Sequence, residues 1–427
     1  VTKSWRRWVA LGLTSFVAAT ALPAHGAVTQ ERKFSLHQHD DWEPAIAADD
    51  RGHVYWATTR YGGAKACRAC PDPAIVYRHS SNNGLTWSKP LFLCKCPGVE
   101  GQHDPVLAVD DSGRLFATWM NNYEVSFARS DDFGVTWTRW GSLDGVLRWS
   151  DKPWIGVSGD GEDVYMTFNG PGTAPGTPYA VYSHNAGETW SSPIPTRRNK
   201  HYWFASGATV TPDGTVFIAQ AVYGQKYTGA VLLFVQRSTD GGRTWNTIGI
   251  DRSAQARRCP PGTGCTLGYF GPQIATTSDD RGRVYVAWNA SRRRSGLSNL
   301  FVRWTDDDGE TWSLPHKVEA TEGRVDHQFP MLAATGDGDV RLAWMDNRTG
   351  RWNTWYRRST NGGASWSPAQ KLSNRPGGAP YKRPGGFLFP YGDYGMLAID
   401  SDGNTHATWG EGPSYEGPGG SWHGRAL

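Results

Sequence analysis

Six copies of one eight-residue phrase constrain this chain more than any other feature. They read SSNNGLTW at 80–87, SDDFGVTW at 130–137, SHNAGETW at 183–190, STDGGRTW at 238–245, TDDDGETW at 305–312 and STNGGASW at 359–366. The shared pattern is Ser/Thr, any, Asp/Asn, any, Gly, any, Thr/Ser, Trp. Its period of roughly fifty residues is the length of one small sheet in a repeat architecture. The Asp or Asn oxygen accepts bonds from backbone N–H groups just ahead of it and pins a tight turn. Gly two positions later supplies positive φ without steric cost, and Trp buries a broad flat surface. Six chemically alike turns at whole-repeat spacing are structural staples rather than six active sites.

A second repeat sets the number of units. Apolar strands flank Asp/Gly-rich turns in seven hairpins, at 44–60, 105–122, 153–170, 207–224, 272–291, 330–348 and 395–412, a strong hairpin signal. Each boxed turn sits between a third strand, such as 299–304, and a fourth, such as 89–93. Residues 420–425 look like the other third strands, and 32–37 can supply the fourth strand that the last hairpin lacks. The phrase resembles the Asp-box of sialidases and many other secreted β-propellers, and the resemblance covers nearly all of residues 40–427. The expected fold is all-β, a seven-bladed β-propeller of four-stranded antiparallel blades closed by both chain ends. The six-bladed ring of sialidases is the alternative. Residues 28–427 are expected to form one domain, since each blade depends on its neighbours.

The first 27 residues read as an export signal. Lys3, Arg6 and Arg7 precede the apolar run 9–22, and Ala24, Gly26 and Ala27 offer a cleavage site. The run is shorter than the ~20 residues of a membrane span. A secreted or periplasmic protein with no membrane attachment after signal removal is expected. Val1 fits a GUG start, a bacterial feature. Removing 1–27 takes away three cations and no acid, so the formal charge of +4 shrinks toward neutrality and gives no reason to expect nucleic acid. Six cysteines in an exported chain point to disulfides, with Cys259–Cys265 the clearest pair. Cys67, Cys70, Cys94 and Cys96 have a spacing that also suits tetrahedral zinc. The run Asp306-Asp307-Asp308 lacks the spacing of a calcium loop, so neither metal nor cofactor is expected. The protein is expected to be a monomer.

In a propeller of this kind the boxes mark one face, and the opposite face is built from residues leading into first strands and leaving second strands. Those leading in include Asp41, Glu43, His103, Asp104, Asp151, Lys152, His327, Asp393 and Tyr394; those leaving include Arg60, Arg348 and Glu411. Carboxylate pairs can divide acid and base work, and arginines recognise carboxylates bidentately.

The sialidase resemblance implies a Tyr nucleophile with a Glu partner, an Asp acid/base and three arginines on the substrate carboxylate. Asp393-Tyr394-Gly395-Met396-Leu397 is similar to the sialidase tyrosine segment, so Tyr394 is the candidate nucleophile, with Glu43 or Glu411 as its partner. Asp104 or Asp151 is the candidate acid, and Arg60 and Arg348 are candidate clamps. The Arg-Ile-Pro segment typical of sialidases is missing, and Gln38–Pro44 stands in its place. Three readings follow, with a glycan or acidic polysaccharide as partner in each. One is a sialidase-like exo-glycoside hydrolase. A second is a polysaccharide lyase, with His103, His201, His327 or a Tyr as base and Lys152 or an Arg neutralising the uronate. The third is a non-catalytic binding propeller presenting Trp42, Trp203, Tyr269 and Phe270.

Overall fold

A computed structural model describes residues 31–35, 40–62, 67–143, 145, 147, 149–172, 176–198, 200–224, 229–254, 272–293, 297–319, 325–350, 352–373, 394–411 and 419–427. Seven four-stranded antiparallel sheets follow one another along the chain, and no helix occurs among the described residues. Each sheet is one blade of a propeller. The innermost strands, in blade order, are Asp40–Ala48, Gln102–Val109, Asp151–Val157, Tyr202–Val210, Ile274–Ser278, His327–Thr335 and Met396–Ile399. They surround a central cavity of about 600 Å³ lined by Ile46, Val106, Trp154, Met331 and Leu397. Seven blades rather than six follow from the seventh hairpin, which becomes the inner half of blade 7. That blade is completed by Gly420–Ala426 and, from the other chain end, Arg32–Lys33, paired as Arg32 with His423 and Lys33 with Trp422.

The boxed turns behave as their chemistry dictates. In the second copy Ser130 Oγ donates to Asp132 Oδ1, Gly134 N donates to Ser130 Oγ, and Thr136 N and Oγ1 donate to the Asp132 carboxylate. Gly134 has φ of 80°, and a Cβ there would collide with the Tyr77 hydroxyl of the preceding blade. The box therefore closes a turn and seats it on its neighbour. Cys67 bonds Cys70 and Cys94 bonds Cys96, so these four sulfurs are taken up in disulfides rather than a zinc site. Cys259, Cys265 and the segment 1–27 lie outside the described residues.

Five inner strands slip in register, Tyr202–Val210 between Ala205 and Ala208, and four of them share a proline-containing form at the end opposite the boxes. In those four the ladder slips between Trp42 and Ala45, His103 and Val106, Asp151 and Trp154, and Gln328 and Met331. Each of these four slips contains a proline, which has no N–H for the ladder and is tolerated at bulges. The residue before it is left-handed: Glu43 at φ 58°, Asp104 at 52°, Lys152 at 53° and Phe329 at 54°. Such backbone costs on the order of 1–3 kcal/mol per residue and persists only where the surrounding structure holds it in place.

Blade 7 also buries an Asp–His–His chain. His406 Nε2 lies 2.9 Å from Asp400 Oδ2, and its Nδ1 lies 2.9 Å from His423 Nε2. Asp400 only accepts, so His406 donates from Nε2 and accepts at Nδ1 from the His423 N–H. His423 stacks on Phe34, and Arg425 reaches Asp400 at 3.4 Å. Burial lowers the pKa of His406 despite Asp400. It lowers that of His423 further, with His406, Arg32 and Arg425 adding to the effect. Burial alone would raise Asp400, but the bonds from His406 and Asn404 hold it at about 2.

The folded state thus prefers neutral rings, while the unfolded chain takes up protons below about pH 6.5. The imidazole contribution is complete above that value and declines as pH falls toward the lowered folded values. The Asp400 contribution is complete above the ordinary carboxylate value of 3.8 and is lost as pH falls from there through about 2. The urea midpoint should therefore fall on acidification from about pH 6.5, each ring adding a slope of up to about 1.4 kcal/mol per pH unit. His423→Leu should flatten that slope, and an unchanged slope in the variant would contradict the assignment.

Candidate functional site

The bulges of blades 1 to 3 bring three charged heads together beside the axis. Lys152 Nζ donates to Asp104 Oδ1 at 3.0 Å and lies 4.0 Å from Glu43 Oε1. Glu43 Oε2 accepts from Thr59 Oγ1 at 2.7 Å and from the Asp104 N–H at 3.1 Å. The ammonium also sits 5.7 Å from the centroid of the Phe204 ring. Glu43, Asp104 and Lys152 are 2%, 1% and 7% exposed. Two carboxylates this close and this dry cannot both ionise cheaply. Burial, then the Glu43 charge, push Asp104 well above the usual carboxylate range against the pull of Lys152. With both carboxyl groups beside Lys152, a proton on Asp104 is favoured over a second negative charge.

A more open layer lies beside it. His103, next to Asp104 in the chain, has Nδ1 3.2 Å from the Tyr61 hydroxyl. Its ring lies 5.7 Å from that of Tyr123, at an interplanar angle of 23°, and Tyr123 in turn lies 6.5 Å from Trp149 at 24°. An added Cβ on Gly101 would stand 3.2 Å from His103 Nε2, so the glycine leaves room for the imidazole. Burial lowers the pKa of His103, and Lys152 adds to this against Asp104 and Asp151. The ring is therefore neutral at neutral pH and available as a base. Asp151 accepts from the Tyr202 hydroxyl at 2.9 Å and from the Lys152 N–H at 3.0 Å.

Other sequence-predicted residues are placed differently. Arg60 is clamped by Asp41 through two bonds, Nε to Oδ1 at 2.9 Å and Nη2 to Oδ2 at 2.8 Å. Arg348 is held by Asp346 and Glu319 and lies 4.1 Å from the Trp355 ring centroid. His327 is fully buried, with Nδ1 3.0 Å from Ser298 O and Nε2 3.8 Å from Asp346. Tyr394 stands at the head of the inner strand of blade 7 and lines the central cavity. Its hydroxyl donates to Pro105 O of blade 2 at 3.2 Å, and its ring meets the edge of Trp154 in blade 3. Glu411 accepts from the Trp409 indole at 3.0 Å. Trp42 and Trp203 are buried and present no face. Asp393, Tyr269 and Phe270 lie outside the described residues.

Sequence reasoning passed over Tyr61, Tyr123, Trp149 and Tyr202, which sit on or beside connections between strands where no repeat points to them. A signal for the site was nevertheless present, in the tripeptides Trp42-Glu43-Pro44, His103-Asp104-Pro105 and Asp151-Lys152-Pro153 at the head of three successive hairpins. Removing one member of a buried ion cluster leaves the others uncompensated, typically costing about 3–5 kcal/mol. Lys152→Met should show a loss of this order in urea unfolding, partly recovered by adding Asp104→Leu. A loss too small to measure would show that the cluster is not coupled.

The BNR repeat-like domain family matches residues 24–255. A xyloglucanase from a Paenibacillus species is 27% identical over 46% of this chain and 18% of its own length. A sialidase from Bacteroides fragilis is 24% identical over 69% of this chain and 48% of its own. The chain thus spans less than half the length of the curated relatives it matches. Among solved structures, an ulvan lyase bound to a GlcA(1-4)Rha3S chain matches 91% of this chain and 95% of its own, with a TM-score of 0.53 and 13% identity. At that identity the likeness speaks for the fold alone.

Proposed function

The chain belongs to the BNR repeat-like domain family, and from that premise we propose that it is a secreted, carbohydrate-active propeller that cleaves an acidic polysaccharide by β-elimination. The observation that carries this reading is His103, held neutral beside Tyr61 and Tyr123 and next in the chain to the buried Glu43–Asp104–Lys152 cluster. In such a step His103 takes the proton α to the uronate carboxylate. The C–H electron pair forms the new C=C bond as the C–O bond to the next sugar breaks. The leaving oxygen takes a proton from a tyrosine hydroxyl, with Tyr61 placed for that role. Lys152 contributes positive charge beneath the site, which favours the negative charge developing on the uronate. The bound ligand of the ulvan lyase, a uronic-acid chain, is of the same chemical class. The disulfides within blade 1 support export to an oxidising compartment.

Sialidase-like hydrolysis is the second reading, favoured by the Bacteroides relative and by the position of Tyr394 at the axis. It assigns Tyr394 as nucleophile and Asp104 or Asp151 as acid. It would need the Tyr394 hydroxyl to leave Pro105 O, and Arg60 and Arg348 to turn from their carboxylate partners.

Incubation with polygalacturonate, alginate, hyaluronan and ulvan should produce absorbance at 235 nm with at least one of them. His103→Ala should lower that rate by at least about 10²-fold, the usual scale of general-base removal. Because the base must be neutral, kcat/KM should fall as pH drops through a value below the ordinary imidazole pKa. Release of 4-methylumbelliferone from a sialoside, lost in Tyr394→Phe and with no 235-nm product from any uronate polymer, would overturn the elimination reading in favour of the hydrolase.

A further inference from the structure

The hairpin joining Leu115–Asn121 to Glu124–Ser130 turns through only two residues, Asn122 and Tyr123, because Asn121 pairs with Glu124. Both are left-handed, with φ of 50° and 62°. Two left-handed residues in a two-residue loop define a type I′ turn, for which Asn–Gly is the favoured sequence. Asn122 fits its position. Tyr123 occupies the glycine position, where an L side chain costs roughly 1–2 kcal/mol.

Among the described residues, Tyr123 does not join the hydrophobic core of its blade. The Tyr123 ring is 46% exposed, and its contacts are the flanking rings of His103 and Trp149. The turn itself is held without it. Asn122 Oδ1 accepts from the N–H groups of Glu100 and Gly101 at 2.8 and 3.2 Å, and Asn122 N donates to Gly101 O at 3.0 Å. Ser150 N donates to Tyr123 O at 2.7 Å, a backbone bond that any residue could accept. The turn is thus tied to the segments leading into blades 2 and 3, and the side chain it displays is surplus to the fold.

We propose that Tyr123, with Trp149 beside it, is a stacking platform for a sugar ring next to the one that reacts at His103, so that the substrate is an extended polysaccharide running along the rim from blade 1 toward blade 3. The proposal rests on the reading of this rim as a polysaccharide site. Pyranose rings present apolar C–H faces that lie against aromatic rings, and near-parallel rings in a row give such faces a continuous support. A terminal monosaccharide has no second ring to place there.

The experiment compares wild type with Tyr123→Gly in two measurements. One is migration through native gels containing polygalacturonate, alginate, hyaluronan or ulvan. The other is the thermal midpoint without polysaccharide. Glycine suits the turn, so the variant should melt no lower than wild type. Its apparent affinity for the retarding polysaccharide should be about two- to tenfold weaker, the scale of one lost aromatic contact. If wild type is retarded and Tyr123→Gly is retarded equally, the platform is wrong while the rim reading stands. If affinity and melting temperature fall together, Tyr123 is a structural residue and the platform is again overturned. If wild type is retarded by none of the four polymers, the reading of the rim as an acidic-polysaccharide site fails, and the platform with it.

Discussion

Ring closure in blade 7 is the constraint on which the rest of the molecule depends. Two residues from one chain end, Arg32 and Lys33, complete a sheet whose other strands come from the opposite end. Without that pairing blade 7 would have three strands and the two chain ends would not be tied together in one sheet. Side chains seal the joint: Phe34 wedges between Trp56 and Trp87 and stacks on His423, and Thr58 Oγ1 meets Ser421 Oγ at 2.6 Å. Closure also fixes the upper mouth, because Tyr394 reaches from blade 7 to the carbonyl of Pro105 in blade 2.

Rigidity and strain are divided between the two faces. On the boxed face each turn satisfies its own backbone and seats its glycine on the neighbouring blade, as Gly134 does on Tyr77. On the opposite face the innermost strands begin with bulges that hold Glu43, Asp104 and Lys152 in left-handed conformations. These residues are strained, buried and ionisable at once, a combination that stability alone does not favour. The ring of sheets holds them in place next to His103, the base of the proposed elimination.

The fold was almost wholly legible in the sequence because the features that make it are periodic. The boxes gave the unit, and the seventh hairpin at 395–412 with the orphan strand at 420–425 gave the blade number and the closure. The site was legible only as a set of candidates. Position relative to each hairpin placed Glu43, Asp104, Lys152 and His103 on one rim, but not which of them touch. Arg60 and Asp41 illustrate the limit: both were visible as rim residues, yet their mutual bidentate pairing depends on cross-strand register after a bulge. Tyr123 and Trp149 escaped because nothing in a repeat marks a non-repeating connection. The misfit of tyrosine in an Asn–Gly turn emerges only once the turn length is known.

Hydrogen exchange read by mass spectrometry, with and without a saturating uronate polysaccharide, tests most directly the central claim that the rim of blades 1 to 3 is the working surface. Protection should appear in 60–62, 99–104, 121–124 and 149–152, and the boxed turns should exchange as they do in the free protein. Protection centred on the boxed turns, or an unchanged rim under conditions where the polysaccharide is bound, would contradict the account.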